Sequence, residues 1–227
     1  MESIKSLLSE TQNQPSGIIR FKYMPYSMNI CKHVWFGFAK KHIGDNKLTV
    51  GATQANVWTE LIKYIHGDED CGYDLNKSVC LIGKTGAGKS MTMEIINKYI
   101  EIDNVMYARD GRKMPFKFSI VTSREIVSEY QSKGYDGISK YLVIGNLCID
   151  DLGSEPEMSN HYGAKLDVIT EVIEARYSKG LMTHFTSNLN EELIKERYND
   201  RVYSRILHQC NMIIMNDKDF RIDGKQD

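Results

Sequence analysis

One octapeptide constrains the fold of this chain more than any other feature. The segment Gly83-Lys-Thr-Gly-Ala-Gly-Lys-Ser90 matches the pattern G-x-x-x-x-G-K-[ST] in full. The apolar run Ser78–Gly83 before it has the composition of a buried parallel strand. The apolar residues of Met91–Ile102 recur at four-residue spacing, as in an amphipathic helix. Strand, loop and helix in this order predict a phosphate-binding loop on a parallel sheet, and a glycine-rich turn without a ligand is the alternative.

The rest of the chain alternates between strand-like and helix-like segments. Four further strands are predicted at Phe116–Thr122, Tyr141–Ile149, Leu181–Ser187 and Met212–Met215. Helices are predicted at Gln54–His66, Glu125–Gln131, Leu166–Ser178 and Arg201–His208. Strands that alternate with helices indicate an α/β fold with a doubly wound parallel sheet.

Length and composition favour one main domain. The chain has 227 residues, 41% of them hydrophobic, which is enough for one substantial core. We assign residues 51–227 to that domain and residues 1–50 to a small N-terminal segment that packs on it or binds a partner. The segment Gly67–Lys77 reads as a linker, just before the first predicted strand of the sheet.

Hydropathy and cysteine usage indicate a cellular compartment, whereas the net charge does not identify the class of partner. The net charge of −1 excludes neither a nucleic-acid nor a protein partner, because a basic face can exist within a neutral total. The sequence has no apolar run of about 20 residues and no secretory signal, which favours a cytoplasmic protein. The five cysteines are odd in number and form no C-x-x-C pair, so we expect reduced thiols and no zinc module.

The octapeptide has the residues that phosphate chemistry requires. Its glycines let backbone N–H groups face the phosphates, and the following helix adds the positive end of its dipole. Lys89 would reach the β- and γ-phosphates, and the Ser90 hydroxyl would bind Mg²⁺. ATP and Mg²⁺ are the expected cofactors. The predicted nucleotide-binding residues are Gly83, Lys84, Thr85, Gly86, Ala87, Gly88, Lys89, Ser90 and Met91.

A second motif supplies carboxylates. Leu147–Asp151 reads Leu-Cys-Ile-Asp-Asp, an apolar strand that ends in two acids, as in a Walker B motif. Asp150 would hold Mg²⁺ through water, and Asp151 would orient or deprotonate the attacking water. Many ATPases carry glutamate at the second position, and aspartate is shorter, so hydrolysis would be slow. Two aspartates that only cap a following turn are the alternative.

Another predicted strand ends in His184-Phe-Thr-Ser-Asn188. Asn188 is placed to sense the γ-phosphate or to hold the lytic water. A simple turn signal is the alternative, because Ser-Asn often follows a strand.

The predicted helix Arg201–His208 carries two arginines. Asp200 would cap this helix, on which Arg201 and Arg205 are four residues apart and share a face. One of them would act as an arginine finger in the site of a neighbouring subunit. Ordinary surface arginines, or an ion pair with Glu196, are the alternative.

Together these motifs resemble a known family. Gly83–Ser90, Leu147–Gly153, Thr186–Leu189 and Arg201–Leu207 resemble the AAA+ ATPases of the DnaC/DnaI helicase-loader and IstB transposition-helper family, over about residues 50–221. The resemblance implies a five-stranded sheet of order 5-1-4-3-2, flanked by helices and without a C-terminal lid domain. It also implies that Asn188 is sensor 1 and Arg205 the finger, with Arg201 as second choice.

The resemblance further implies partners. They are a replicative DNA helicase, single-stranded DNA and other copies of the chain that share ATP sites. In this family the helices between the second and third strands contact DNA, and here they carry Arg124, Lys133, Tyr135, Lys140 and Tyr141. Cations interleaved with tyrosines suit a nucleic-acid strand, and a solvated helix face with core tyrosines is the alternative.

Three other functions remain open from the sequence. A transposition helper would use the same core to present DNA to a transposase. A small-molecule kinase would begin with the same strand, loop and helix, but such kinases use an arginine-rich lid that is not evident here. An adaptor that binds ATP and barely hydrolyses it would also fit the shorter Asp151.

Overall fold

The computed structural model describes residues 18–20, 26–43, 50–103, 105–109 and 112–215. Its strands are β1 (Ile18–Arg20), β2 (Ser78–Ile82), β3 (Met106–Arg109), β4 (Arg112–Pro115), β5 (Ser119–Thr122), β6 (Leu147–Leu152), β7 (Ser159–His161), β8 (Ala164–Leu166), β9 (Thr183–Ser187) and β10 (Cys210–Ile214). Its α-helices are α1 (Met28–Ile43), α2 (Ala52–Ile65), α3 (Lys89–Asp103), α4 (Ser123–Lys133), α5 (Tyr135–Ser139), α6 (Val168–Ser178) and α7 (Glu191–Gln209). A 3₁₀ helix covers Lys140–Leu142.

The central sheet has five parallel strands in the order β10-β2-β9-β6-β5. Numbered along the chain among these five alone, the order is 5-1-4-3-2, so the predicted fold class and strand order are confirmed. The carboxyl ends of β2, β9 and β6 are therefore neighbours at one edge of the sheet. In such sheets, ligands bind at that edge.

The sheet is buried on both faces by helices. Successive residues of β2 alternate between two apolar clusters: Val79 and Leu81 belong to one, Cys80 and Ile82 to the other. The first cluster includes α1, α2 and α3, and the second includes α4, α6 and α7. Trp35 of α1 is fully buried, with its ring centroid 5.5 Å from that of Tyr99 on α3.

The prediction of a strand over Tyr141–Ile149 is wrong in its first part. Tyr141 belongs to the 3₁₀ helix, and β6 begins at Leu147. Within the described residues, the backbone from Tyr141 to Gly145 pairs with no strand of the sheet, and the carbonyl oxygens of Tyr141, Ile144 and Gly145 accept hydrogen bonds from the Arg176 side chain. Tyr141 and Leu142 pack in the core, whereas Val143 and Ile144 are exposed, so the apolar character of this segment does not reflect pairing in the sheet.

The predicted helix Arg201–His208 is the second half of a longer one, and its cap is not Asp200. The helical backbone of α7 is interrupted at Asn199, whose φ is +63°. The Asn199 Oδ1 atom accepts hydrogen bonds from the backbone N–H groups of Arg201 (3.0 Å) and Val202 (3.1 Å). Asn199 therefore caps the second half, since it supplies the acceptor that the first free N–H groups need.

Two small antiparallel units were not predicted. The strands β1, β3 and β4 form a three-stranded sheet, and β7 and β8 form a hairpin. The hairpin turns at Tyr162, whose φ is +47° and whose side chain is 98% exposed.

The predicted N-terminal segment falls partly outside the described residues, which begin at residue 18 and omit 21–25 and 44–49. Within it, α1 packs against α3. The division of the chain after residue 50 stays a prediction. In the described part of the chain, no helix has both the length and the apolar character needed to cross a bilayer.

Candidate functional site

Residues from three neighbouring strand ends meet at the carboxyl edge of the sheet. The loop Gly83–Ser90 follows β2, Asp150 and Asp151 precede the last residue of β6, and Asn188 follows β9. These segments were predicted to form one site, and the strand order brings them together.

The loop depends on glycine at its two ends. Gly83 has a φ of +155°, and a Cβ atom there would lie 2.1 Å from the carbonyl oxygen of Met215. Gly88 has a φ of +81°, and a Cβ atom there would lie 2.9 Å from Nε2 of Gln54. Glycine permits this path, because other residues rarely adopt such angles and a side chain would collide. The path delivers the chain to the N-terminus of α3, which favours anions.

Lys89 is held at the centre of the loop. Its side chain is buried, and Nζ donates to the carbonyl oxygens of Gly83 (2.8 Å) and Lys84 (2.9 Å). The same ammonium donates to Oδ1 of Asn188 at 2.7 Å. The predicted phosphate-binding lysine and the predicted sensor therefore form one hydrogen-bonded unit, although they are 99 residues apart in the chain.

Ser90 and Asp150 also form one unit. The Ser90 hydroxyl donates to Oδ1 of Asp150 at 2.9 Å, and the Thr186 hydroxyl donates to the same oxygen at 2.5 Å. A hydroxyl and a carboxylate side by side suit Mg²⁺, which takes one or two protein oxygens and keeps water or phosphate ligands. Within the described residues no group of three or more His, Cys, Asp or Glu side chains is arranged to hold a metal by itself. One hydroxyl and one carboxylate fit a cation that takes its remaining ligands from water or from nucleotide phosphates.

Asp151 has an unusual backbone that turns its side chain toward the site. In a regular strand, adjacent side chains point to opposite faces. At Asp151 φ is +54°, and the pairing of β6 with β9 shifts register between Ile149 and Leu152. The backbone N–H of Asp151 donates to Thr186 Oγ1 at 2.9 Å, and its carbonyl accepts from Ser123 Oγ at 2.8 Å. Strained backbone fixed in this way recurs at functional sites.

The site opens into a cavity of about 370 Å³. Its walls include the loop, the first turn of α3, Asp151 and Asn188. Two further residues line it, His42 at the end of α1 and Glu94 on α3. The Asn188 amide donates to Oδ1 of Asp151 at 3.4 Å, so the two polar groups face the same space. Sequence reasoning did not anticipate His42 or Glu94 here.

The two arginines lie far from these residues of their own chain. Arg205 Nη1 is 2.9 Å from Oε1 of Glu174, and Arg201 Nε is 3.1 Å from the same oxygen. They share a face, as predicted, but their acidic partner is Glu174 of α6 and not Glu196. The end of α7 lies at the amino edge of the sheet, where Lys77 donates to the carbonyl of Leu207. A role for either arginine in phosphate chemistry therefore requires the site of another copy.

A buried ion pair braces the loop that follows Asp151, and sequence reasoning missed it. Glu155 accepts from the backbone N–H of Gly153 (2.9 Å), from Arg197 Nη2 (2.9 Å) and from the Tyr198 hydroxyl. The pKa of the Tyr198 phenol is raised, mainly by burial and secondly by the neighbouring Glu155 carboxylate. Arg197 also lies 3.4 Å from Asp167, the N-cap of α6. A lone acid in a loop has no periodicity that would have revealed this network.

The candidate DNA-contacting residues divide into two groups. Tyr141 is buried and its hydroxyl donates to Glu129, which also pairs with Lys140 at 2.8 Å. Arg124 Nε donates to the carbonyl of Ser154. Tyr135 is half exposed, and Lys133 is exposed at the end of α4. Tyr141 thus behaves as a core tyrosine, whereas Tyr135 and Lys133 remain accessible.

Comparison with known proteins supports the fold. No protein-family model and no curated protein matches the sequence. A solved DnaC helicase loader superposes with a TM-score of 0.54 at 17% identity, over 75% of this chain and 94% of that one. The solved structure of DnaI superposes with a TM-score of 0.54 at 18% sequence identity, and the match covers 89% of this chain and 97% of that one. A protein of Streptococcus pyogenes serotype M3, proposed to be a primosome component, superposes with a TM-score of 0.53 at 16% identity, and the match covers 78% of this chain and 87% of that one. The fold predicted from the resemblance is therefore confirmed: this chain has the fold of the solved DnaC and DnaI proteins.

Proposed function

We propose that this protein is an Mg²⁺-dependent ATPase of the DnaC type that acts in DNA replication. The observation that carries the proposal is the hydrogen-bonded convergence of Lys89 with Asn188 and of Ser90 with Asp150 at one edge of the sheet. A glycine-rich turn without a ligand would not need a buried lysine, nor a hydroxyl–carboxylate pair beside it. The fold shared with a solved helicase loader supports the same function.

Each residue has a defined task in this proposal. Backbone N–H groups of the loop and the N-terminus of α3 bind the phosphates, and Lys89 compensates charge on the β- and γ-phosphates. Ser90 and Asp150 would hold Mg²⁺, which neutralises charge on the phosphate oxygens. Asp151 accepts a proton from the attacking water. The oxygen of that water forms a bond to the γ-phosphorus, and the bond from the γ-phosphorus to the oxygen that stays on ADP breaks. Asn188 orients that water and reports on the γ-phosphate through its bond to Lys89.

Hydrolysis in the isolated chain is proposed to be slow. Aspartate is one methylene shorter than the glutamate common at this position, and Asp151 lies near the Asn188 amide, at 3.4 Å. A base must come within hydrogen-bond reach of the water that it activates. Binding of DNA or a partner protein would stimulate turnover by completing the site.

Completion would come from a neighbouring copy of the chain. Arg205 is only 19% exposed and is held by Glu174, with its guanidinium 5.1 Å from the Tyr177 ring centroid. A preorganised arginine is the kind of group that stabilises transition-state charge across a subunit boundary. Arg201 is 69% exposed and less constrained, so it remains the second choice for the finger.

Single-stranded DNA and a replicative helicase are the proposed partners, with a transposase as the alternative. Tyr162 at the tip of the β7–β8 hairpin is almost fully exposed, and Tyr135 is half exposed. Exposed aromatic rings can stack on unpaired bases, while nearby lysines follow the phosphates. A cytoplasmic location is part of the same proposal.

The test measures ATPase turnover with and without single-stranded DNA, and the size of the ATP-bound complex. Arg205→Ala should reduce hydrolysis by roughly 10³-fold while ATP binding persists, as expected for a finger. Lys195→Ala is the matched control, because Lys195 is an exposed cation on the same helix, paired with Asp200. A protein that stays monomeric, ignores DNA and keeps its activity without Arg205 would refute the shared-site proposal and would favour a search for a kinase acceptor.

A further inference from the structure

The cleft that contains the phosphate loop extends to residues with no role in phosphate binding. His42 and Glu94 line the cavity of about 370 Å³ together with Lys89 and Ser90. They also line a second cavity of about 290 Å³, which runs between α1 and α3 and is bordered by Phe38 and Ile95. The His42–Glu94 pair therefore stands where the two cavities meet.

The position of Glu94 follows from helix geometry. Glu94 is four residues after Ser90 on α3, which places it one turn, or about 6 Å, further along the helix axis. A nucleotide whose β- and γ-phosphates occupy the loop has its ribose and base beyond the α-phosphate. The part of the cleft near Glu94 is thus available to the nucleoside.

The chemistry of Glu94 suits a sugar and not a phosphate. A carboxylate accepts hydrogen bonds and repels phosphate oxygens, whereas ribose hydroxyls are hydrogen-bond donors. His42 Nδ1 lies 3.2 Å from Glu94 Oε2, and their side chains are 43% and 49% exposed. The imidazole holds the carboxylate in place and leaves it accessible to a ligand.

The backbone that carries His42 is fixed because α1 is anchored by its apolar face. Cys31, Trp35 and Ala39 of α1 are buried in the cluster that also contains Tyr99 of α3. His42 follows the fully buried Trp35 by about two turns of helix. The position of the His42 backbone thus depends on core packing. A preorganised backbone lowers the cost of ordering a side chain when a ligand binds.

We infer that Glu94, oriented by His42, accepts hydrogen bonds from the ribose hydroxyls of the bound nucleotide, with the base in the groove between α1 and α3. The inference rests on the proposed function and adds a basis for selecting ribonucleoside triphosphates. It also makes α1, which precedes the first strand of the central sheet in the chain, part of the nucleotide site. A partner that moved α1 would thereby alter nucleotide affinity.

The test is calorimetric titration of the full chain with Mg²⁺ and three ligands: ATP, 2′,3′-dideoxy-ATP and tripolyphosphate. The wild type should bind ATP roughly 10-fold more tightly than dideoxy-ATP, the value of one hydrogen bond to a charged group. Glu94→Ala should raise the Kd for ATP to that of dideoxy-ATP and leave the Kd for tripolyphosphate unchanged. His42→Ala should shift the same ratio in the same direction by a smaller factor.

Two control variants separate a ribose contact from a general effect. Glu101→Ala is the control for Glu94→Ala, because Glu101 lies on the same helix but outside both cavities. His33→Ala is the control for His42→Ala, because His33 is an exposed histidine of α1 that also lies outside both cavities. Neither should alter the ATP to dideoxy-ATP ratio. The inference is overturned if Glu94→Ala leaves that ratio unchanged, or weakens all three ligands equally. If the wild type binds neither ATP nor tripolyphosphate, the proposed function itself fails, which is a distinct result.

Discussion

A single buried arginine, Arg176, should contribute more to stability than any surface ion pair described above. It is fully buried at the end of α6 and donates five hydrogen bonds of 2.7 to 2.8 Å. The acceptors come from the segments that lead into two central strands, β6 and β9. They are the Thr183 hydroxyl and the carbonyl oxygens of Tyr141, Ile144, Gly145 and Met182.

The magnitude follows from counting donors. Arg176→Lys preserves the charge but offers three N–H groups in place of five, so at least two of the five hydrogen bonds are lost. Each hydrogen bond to a charged group is worth about 1–3 kcal/mol, which predicts a loss of roughly 2–6 kcal/mol in the free energy of unfolding. Total stabilities are about 5–15 kcal/mol, so the variant should fold only marginally.

The assay is urea unfolding, followed by far-ultraviolet circular dichroism and tryptophan fluorescence. For an m-value of about 2 kcal/mol/M, the midpoint should fall by roughly 1–3 M. Arg201→Lys is the control, because Arg201 is 69% exposed and its ion pair should be worth less than about 1 kcal/mol. A midpoint for Arg176→Lys within about 0.3 M of wild type, at unchanged m-value, would refute the reasoning.

Two further predictions concern the site and the core. Thr186→Val removes the hydroxyl that joins the Asp150 carboxylate to the Asp151 backbone. We expect this variant to fold and to bind ATP, but to hydrolyse it at least roughly 10-fold more slowly. An unchanged rate of hydrolysis would contradict the role of Thr186. Burial raises the pKa of the Cys80 thiol to about 12 and holds those of Cys148 and Cys210 well above their usual value. These three thiols therefore carry little thiolate at pH 8. An aromatic disulfide reagent should label the half-buried Cys71 first, and it should label all five thiols only in denaturant. Rapid labelling of Cys148 in the native protein would contradict this prediction.

Motifs that are contiguous in the chain were predictable. The loop Gly83–Ser90 and the strand before it depend on local composition, and so does the acidic end of β6. The strand order 5-1-4-3-2 followed from the resemblance that these motifs carry. Local periodicity failed at Tyr141, because an apolar residue in a 3₁₀ helix and one in a strand look alike in sequence.

What required the tertiary structure was every contact between distant segments. The bond from Lys89 to Asn188, the left-handed backbone of Asp151 and the approach of His42 to Glu94 have no signal in local sequence. Propensity and motif spacing act within a few residues, whereas these geometries arise from the packing of strands and helices that are far apart in the chain. The sequence by itself therefore determined which groups of this protein are candidates for phosphate binding, and only the tertiary structure decided which of them meet, because their meeting depends on long-range packing.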